Sequence, residues 1–482
     1  MVKQAKMFTS MISNSLNKIA VVCLAVLTLA ATHAGAQEYR QVETRKNATV
    51  KEWKSYPTRT LDRLPKFRLR KTDPATDEYG GWTNATYEAT GFFRTQKIGD
   101  RWWLIDPAGH PYFFKGVAVF SIGHSDRQKK ALEDKYGTRD KWAAEEMDHL
   151  RSLGFNGLGA WSSVEEVRRS EKPMPYTVIV SPMGRYKGVH IRRFGGKYLQ
   201  HGWQNYRFDL AMVFDPEFDK FVESELKKVE TYKDDPWLVG YFTDNEIPWV
   251  NDALDRHLTL LAHDEPAYLA VRKWFEERKG KKARVEDITQ EDREAFSAFY
   301  LETYLSKVTA ALRKYDTTPL DLGCRFNQWR EELHNKAMFE VAGRYMDVIS
   351  VNHYQRWTPD MEEITNFGKW SGKPFMVTEF YTKGEDSDLP NVTGAGWNVH
   401  TQAERGWFYQ NFCLQLLESK CCVGWHWFKY MDNDPEDKHS DPSNRDSNKG
   451  MVKWNFEPYP PLLDAMKQLN DRTCRLIKYF DE

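Results

Sequence analysis

The sequence predicts an α/β fold, a (β/α)8 TIM barrel with a short amino-terminal β-hairpin flap and long insertions between its third and fourth strands and its fourth and fifth. Three observations carry this prediction. Eight short apolar segments recur: Phe113–Phe120, Gly154–Ala160, Thr177–Val180, Leu238–Phe242, Leu320–Phe326, Val348–Val351, Phe375–Glu379 and Val423–Phe428. Between several of them run stretches with apolar residues three and four apart, among them "KWAAEEMDHLRSL", "DPEFDKFVESELKKVETY", "FYLETYLSKVTAALRKY" and "ERGWFYQNFCLQLLES", which is the helical period. Alternation of this kind makes parallel sheets, and no GxGxxG or phosphate loop follows a strand to indicate an open, doubly wound one.

Along the chain, Lys3, Lys6 and Lys18 precede an apolar run from Ile19 to Ala31, and Ala34-Gly35-Ala36 closes it. This pattern predicts a signal peptide over residues 1–36 and export to the periplasm or beyond. The run is shorter than the about 20 residues that cross a bilayer, which favours cleavage over the rival reading of a retained amino-terminal anchor, and no membrane span is expected after cleavage. Residues 37–110 form the next unit. Gln37 to Glu78 is polar and weakly periodic and predicts a loosely structured lead-in, whereas the runs from Gly91 to Phe120 are divided by Gly-Asp and Pro-Ala-Gly turns that signal hairpins. The barrel takes residues 111–482, with long crossovers at 181–237 and 250–318.

Lys+Arg and Asp+Glu both number 69, so a net charge of zero argues against a nucleic acid or an anionic membrane as partner. Aromatic residues reach 14%, with 18 Trp and 23 Tyr; flat rings with a polar handle suit sugar faces and interfaces. Cys324, Cys413, Cys421, Cys422 and Cys474 remain beyond the leader, an odd and uneven set that is no disulfide framework and has no zinc spacing, with room for one bridge. Asp432, Asn433 and Asp434 lack the terminal Glu of a calcium loop. No metal and no cofactor is expected.

If the barrel is right, the carboxyl ends of its strands form the active face. Two glutamates follow apolar strands directly, Glu246 after "VGYFTDN" and Glu379 after "PFMVT". Two carboxyls facing one another are what glycoside hydrolysis needs, one protonated to release the leaving oxygen and the other ionised to attack or to direct water; about 5–5.5 Å between them implies retention and roughly 6.5–9.5 Å inversion. Other polar residues at strand ends are Arg325, Asn352, His353 and Tyr354. Burial among Phe242, Ile247 and Trp249 would hold a proton on Glu246, while Tyr354 and Arg325 would keep Glu379 ionised. Arg325 has a second candidate partner in Asp321. Asp244 or Asn245 has a plainer reading as the cap of the next helix. His353, His400 and His426 belong to different segments, which suits hydrogen bonding to a sugar or glutamate better than metal binding, and for at least one of them a satisfied core histidine better still. Trp161, Trp249, Trp329, Trp357, Trp397, Trp425 and Trp427 lie at or beyond strand ends and are either core or sugar platforms; Trp425 and Trp427 share one strand face and His426 takes the other.

These motifs resemble the clan of retaining glycoside hydrolases on (β/α)8 barrels (clan A). Within it, "GFFRTQKIGDRWWLIDPAGHPYFF", "DDPWLVGYFTDNEIPW", "LGCRF" and "DPSNRDSNKG" look most like family 50 β-agarases, from Gly91 to the end of the chain. The resemblance implies Glu246 as acid/base, Asn245 as the residue that binds the sugar 2-hydroxyl, Glu379 as nucleophile and Tyr354 as the hydroxyl that positions it. It also suggests a Trp at the eighth strand beneath the sugar. The family's agarases usually carry a large amino-terminal β-sandwich, where this sequence has residues 37–90 before the hairpin. The expectation is an exported enzyme cleaving β-galactosidic bonds of agarose or a related galactan, with a poly- or oligosaccharide as its partner. Two alternatives remain: the same mechanism on another β-galactan, β-glucan or β-mannan, or a catalytically silent polysaccharide-binding barrel. Intact Glu246 and Glu379 argue against the second.

Overall fold

The computed structural model describes residues 39–194, 198–201, 204–327, 334–441 and 444–482; the expected leader and Trp329 lie outside them. The central sheet has nine parallel strands. In chain order these are β6 (Phe114–Val117), β7 (Gly157–Leu158), β8 (Tyr176–Ile179), β11 (Leu238–Phe242), β12 (Leu320–Asp321), β13 (Phe326–Asn327), β14 (Ile349–Asn352), β15 (Phe375–Phe380) and β18 (Cys422–Trp427), with β16 (Lys383–Gly384) and β17 (Asn398–Val399) paired outside the sheet. They pair in the order β12-β11-β8-β7-β6-β18-β15-β14-β13. The sheet is curled, and its two ends are halves of one segment: Leu320 and Asp321 pair with β11, Phe326 and Asn327 with β14. The sequence predicts a single strand here. Gly323 at φ 69° and Arg325 at φ 51° interrupt the extended backbone, and a Cβ on Gly323 would lie 1.8 Å from the Met346 methyl. The interruption keeps both neighbours bonded, Thr243 N–H to the Gly323 carbonyl and Asp347 N–H to that of Asp321, each 2.8 Å.

Strands such as β11 and β15 are buried along their whole length, because one face meets the interior of the curl and the other a layer of helices. Helix Gln402–Glu418 is buried nearly all round; helices Arg139–Ser152 and Gln290–Tyr315 start at Thr caps that satisfy first-turn N–H groups. The crossovers before and after β11 are long, as expected. The first holds helix Pro182–Phe194, a hairpin of β9 (Tyr198–His201) with β10 (Gln204–Arg207), and helix Pro216–Leu226; the second holds helices Ala253–Leu260, Pro266–Lys279 and Gln290–Tyr315.

The predicted hairpins fold as an antiparallel sheet of β3 (Arg94–Ile98), β4 (Arg101–Ile105) and β5 (Pro111–Tyr112). Phe93, Leu104 and Tyr112 join a cluster with Val239, Leu320, Val348, Met376 and Val423, residues at the amino-terminal starts of strands. This sheet therefore plugs the end of the curl opposite the glutamates and is not a flap over them. The lead-in is also more ordered than its weak periodicity suggests. β1 (Arg40–Thr44) and β2 (Lys54–Thr58) pair, and the following turn docks through polar bonds, Arg59 N–H to Asn411 Oδ1 at 2.9 Å and Leu61 N–H to Gln410 Oε1 at 3.0 Å. Such docking leaves no apolar period to read. All five described cysteines are free, with burial raising the thiol pKa of Cys413, Cys421, Cys422 and Cys474. Among the described residues no helix is long and apolar enough to cross a membrane.

Candidate active site

At the carboxyl ends of six successive strand positions the backbone enters the left-handed region at non-glycine residues: Val119 (φ 55°), Trp161 (59°), Ser181 (53°), Glu246 (50°), Arg325 (51°) and Gln355 (58°). Such conformations cost about 1–3 kcal/mol each and persist where surrounding structure imposes them, commonly at functional sites. At Glu246 the imposing contacts are bonds from its N–H to the carbonyls of Cys324 (3.2 Å) and Arg325 (3.1 Å).

Six predicted residues are brought together here. Arg325, with no exposed surface, donates Nη1 to Asn245 Oδ1 at 2.7 Å and pairs Nη2 with Glu379 Oε1 at 2.7 Å. Tyr354 donates its hydroxyl to Glu379 Oε2 at 2.5 Å; burial first, then the Glu379 charge, holds that phenol protonated. Asn352 donates to Asn245 Oδ1 at 3.1 Å and to Glu246 Oε1 at 2.8 Å, and its own oxygen accepts from Thr378 at 2.8 Å. Glu379 is buried and Glu246 half-buried. One glutamate thus holds a guanidinium and a phenol, the other an amide. Arg325 is the partner of Glu379, whereas Asp321 accepts from Thr309 and the Gly323 N–H. Trp161 lies over the guanidinium at 4.4 Å.

Other candidates are placed elsewhere. Trp425 and Trp427 do share a face, but it is the helix-facing one. Both are fully buried, with indole N–H groups on the Tyr409 hydroxyl (2.8 Å) and the Lys449 carbonyl (3.0 Å). They are core, not a platform under a sugar. Trp249 is also core, edge-on to Tyr300 and Tyr304. Trp397 is half-buried against Tyr56, its Nε1 3.4 Å from Gln355 Oε1, and lines a small cavity with Tyr354 and Tyr381. His353 points outward from its strand toward Phe412 and Glu363, away from the carboxylate cluster, because alternation turns Asn352 and Tyr354 inward. His426 fills the interior between Phe114 and Phe242. His400 stacks on Trp53. Asp244 caps not the next helix but the preceding crossover helix, accepting the N–H groups of Met183 and Gly184, both at 2.9 Å; burial raises its pKa to about 7.

Burial drives the pKa of His353 and His426 down to about 3 and that of His257 to about 4. Unfolded, these rings take a proton near pH 6.5; folded, they do not. Stability is therefore expected to fall as pH drops from 6.5 toward 4, by up to about 1.4 kcal/mol per pH unit for each ring. His353→Leu should give a shallower dependence of urea midpoint on pH over that window. A slope unchanged from wild type would refute this account of His353.

Residues around the site that the sequence reading did not assign include Tyr381, Phe428, Lys429 and Lys449. Tyr381 stands edge-on to Tyr354 at 5.5 Å and 6.0 Å from Phe428. Lys429 follows the last strand by two residues, so the strand-end rule could have found it; Lys449 comes from a distant loop. Among the described residues, the cluster with ligand atoms close enough for a metal is Asp77, Asp106 and His110, within 4.8 Å of one another. It belongs to the amino-terminal plug, far from the glutamates in the fold. Asp106 is raised to about 7 by burial.

No family model matches the chain. It is 26% identical over 517 aligned residues to Beta-agarase B of Vibrio sp. (strain JT0107), a match over 85% of this chain and 51% of that protein. Beta-agarase A of the same strain is 22% identical, with 70% of this chain and 36% of the relative covered. The chain thus spans about half or less of these curated relatives. Among solved structures, BpGH50 superposes with a TM-score of 0.80 at 31% identity, covering 93% of this chain and 98% of that one. The agarase AgWH50C superposes at 0.68 with 23% identity, covering 85% of this chain and 68% of its own, which speaks for the fold alone. Fold and relatives together define a glycoside hydrolase built on a curled parallel α/β sheet. Within that class, the chain belongs to glycoside hydrolase family 50.

Proposed function

We propose that the protein is an exported, retaining β-glycoside hydrolase that cleaves β-galactosidic bonds in agarose or a related galactan, on an eight-unit β/α barrel. The observation that carries the assignment of roles is the asymmetry between the two glutamates. Glu379 sits between Arg325 and Tyr354, a cation and a donor that hold its two oxygens in place, as an attacking group requires. Glu246 has the Asn352 amide on Oε1 and more exposure, which suits a group that gives and retakes a proton.

In the first step Glu379 attacks the anomeric carbon while Glu246 protonates the departing glycosidic oxygen; in the second, Glu246 removes a proton from water as that water displaces Glu379. Asn245, its oxygen fixed by Arg325 and Asn352, is the residue that would meet a sugar hydroxyl. Export rests on the leader-like residues 1–36.

The test is incubation of residues 37–482 with agarose, porphyran, carrageenan, galactan, laminarin and mannan, with products read by mass spectrometry. Neoagaro-type oligosaccharides from agarose are the expected result. Turnover of laminarin or mannan alone would move the substrate to another β-glycan, and absence of turnover throughout would overturn the hydrolase reading.

A further inference from the structure

Beside the glutamates lie two lysines for which that mechanism has no use. Lys429 and Lys449 lie on neighbouring segments, joined by a bond from the Lys429 N–H to the Lys449 carbonyl at 3.1 Å and another from the Met451 N–H to the Lys429 carbonyl at 3.2 Å. Lys449 is 1% exposed, yet its ammonium has no hydrogen bond and no ion pair among the described residues; it lies 5.3 Å from the centre of the Phe428 ring. Phe428 is 6.0 Å from Tyr381 and 6.4 Å from Trp161, the rings flanking Tyr354 and Arg325. The unpartnered cation therefore stands at the rim of the carboxylate site. Lys429 gives its Nζ to Asn433 Oδ1 at 2.5 Å, a neutral partner.

The two ammonium groups, Lys449 buried and Lys429 half-buried, repel one another, and neither has an ion pair among the described residues. Asp432 and Asp441 act on both lysines and Glu379 on Lys449 through their charge, yet each has its hydrogen-bond partners elsewhere than the two ammonium groups. Asp432 accepts from Asn448, the N–H groups of Lys449 and Gly450, and Tyr459. Glu379 is held by Arg325 and Tyr354, and Asp441 is exposed and binds Asn444. We infer that Lys449, assisted by Lys429, is an anion-recognising subsite, and that the preferred substrate is a galactan carrying a sulfate ester on a sugar next to the cleaved bond. This rests on the hydrolase reading above and narrows its substrate. Burial lowers both lysine pKa values, Lys429 to about 8, and the neighbouring cation lowers Lys449 further. An anion bound between them would reverse the shift, so binding near neutral pH would take up a proton.

The experiment is calorimetry on the Glu379→Gln protein with two probes, a neutral agarose tetrasaccharide and a sulfated porphyran tetrasaccharide, in buffers of differing ionisation enthalpy. The expected result is at least about tenfold tighter binding of the sulfated probe, with proton uptake. That preference should shrink toward unity when Lys449→Met or Lys429→Met is added, and survive Lys449→Arg. Equal affinity for the two probes, a preference for the neutral one, or a preference untouched by both Met variants would overturn the inference. Lysine-dependent preference in a protein whose wild type hydrolyses no galactan would instead uphold the anion site and discard the hydrolase reading.

Discussion

Glu379→Ala is expected to lower kcat on the galactan by about 10⁴-fold or more, roughly 5.5 kcal/mol of barrier at 1.36 kcal/mol per decade. On the proposed mechanism the variant has lost the atom that would form the covalent bond, and Arg325 and Tyr354, being donors, cannot take its place. Stability should fall as well. Arg325 is fully buried, and stripping one partner from a buried pair costs about 3–5 kcal/mol because the remaining charge is uncompensated. Glu379→Gln separates the effects. It keeps an oxygen near Arg325 and is expected to melt closer to wild type while remaining as inactive as the Ala variant. Azide supplied to Glu379→Ala should restore turnover and yield a glycosyl azide of inverted anomeric configuration, because the small anion attacks from the vacated side. Activity within about tenfold of wild type, about 1.4 kcal/mol, would sink the nucleophile assignment.

Much of the scaffold was readable because a two-faced parallel strand writes itself as a continuous apolar run. Leu238–Phe242 was read to the residue, and most other strands shifted by a few positions at their ends. The same property hides which face is which. In Cys422–Trp427 both faces are buried, so the sequence establishes that Trp425 and Trp427 share a side but not that the side faces helix Gln402–Glu418. Hydropathy cannot separate two dry environments. Breaks in the pattern were legible only in part: Gly323 is visible as a glycine, but a left-handed Arg325 has no signature in composition. Contacts across the fold were less legible still. Asp244 reads as a local cap, yet it serves a helix starting some sixty residues earlier, and Lys449 meets Phe428 only because a loop returns to the last strand. What did survive was the rule that polar residues ending apolar strands converge, which assembled Asn245, Glu246, Arg325, Asn352, Tyr354 and Glu379.

Glu246→Ala should separate two substrates that differ in their leaving group. A polymer's departing sugar hydroxyl needs a proton as the bond breaks, and loss of the general acid is expected to slow that step by about 10²–10⁴-fold. An activated aryl galactoside leaves as a stable phenolate and needs no such help, so its glycosylation step should be much less affected. The second step still needs a base. The aryl substrate should therefore give a burst of phenolate followed by slow turnover, with a glycosyl adduct on Glu379 detectable by intact mass. Azide should speed that turnover and give a product of retained configuration, opposite to the outcome with Glu379→Ala. The backbone strain at φ 50° is borne by Ala as by Glu, and Asn352 loses one of its two acceptors, so folding is expected to change little beside the chemistry. Equal losses on polymer and aryl substrate would argue that Glu246 is not the proton donor, and that its seat at the end of a buried strand serves binding alone.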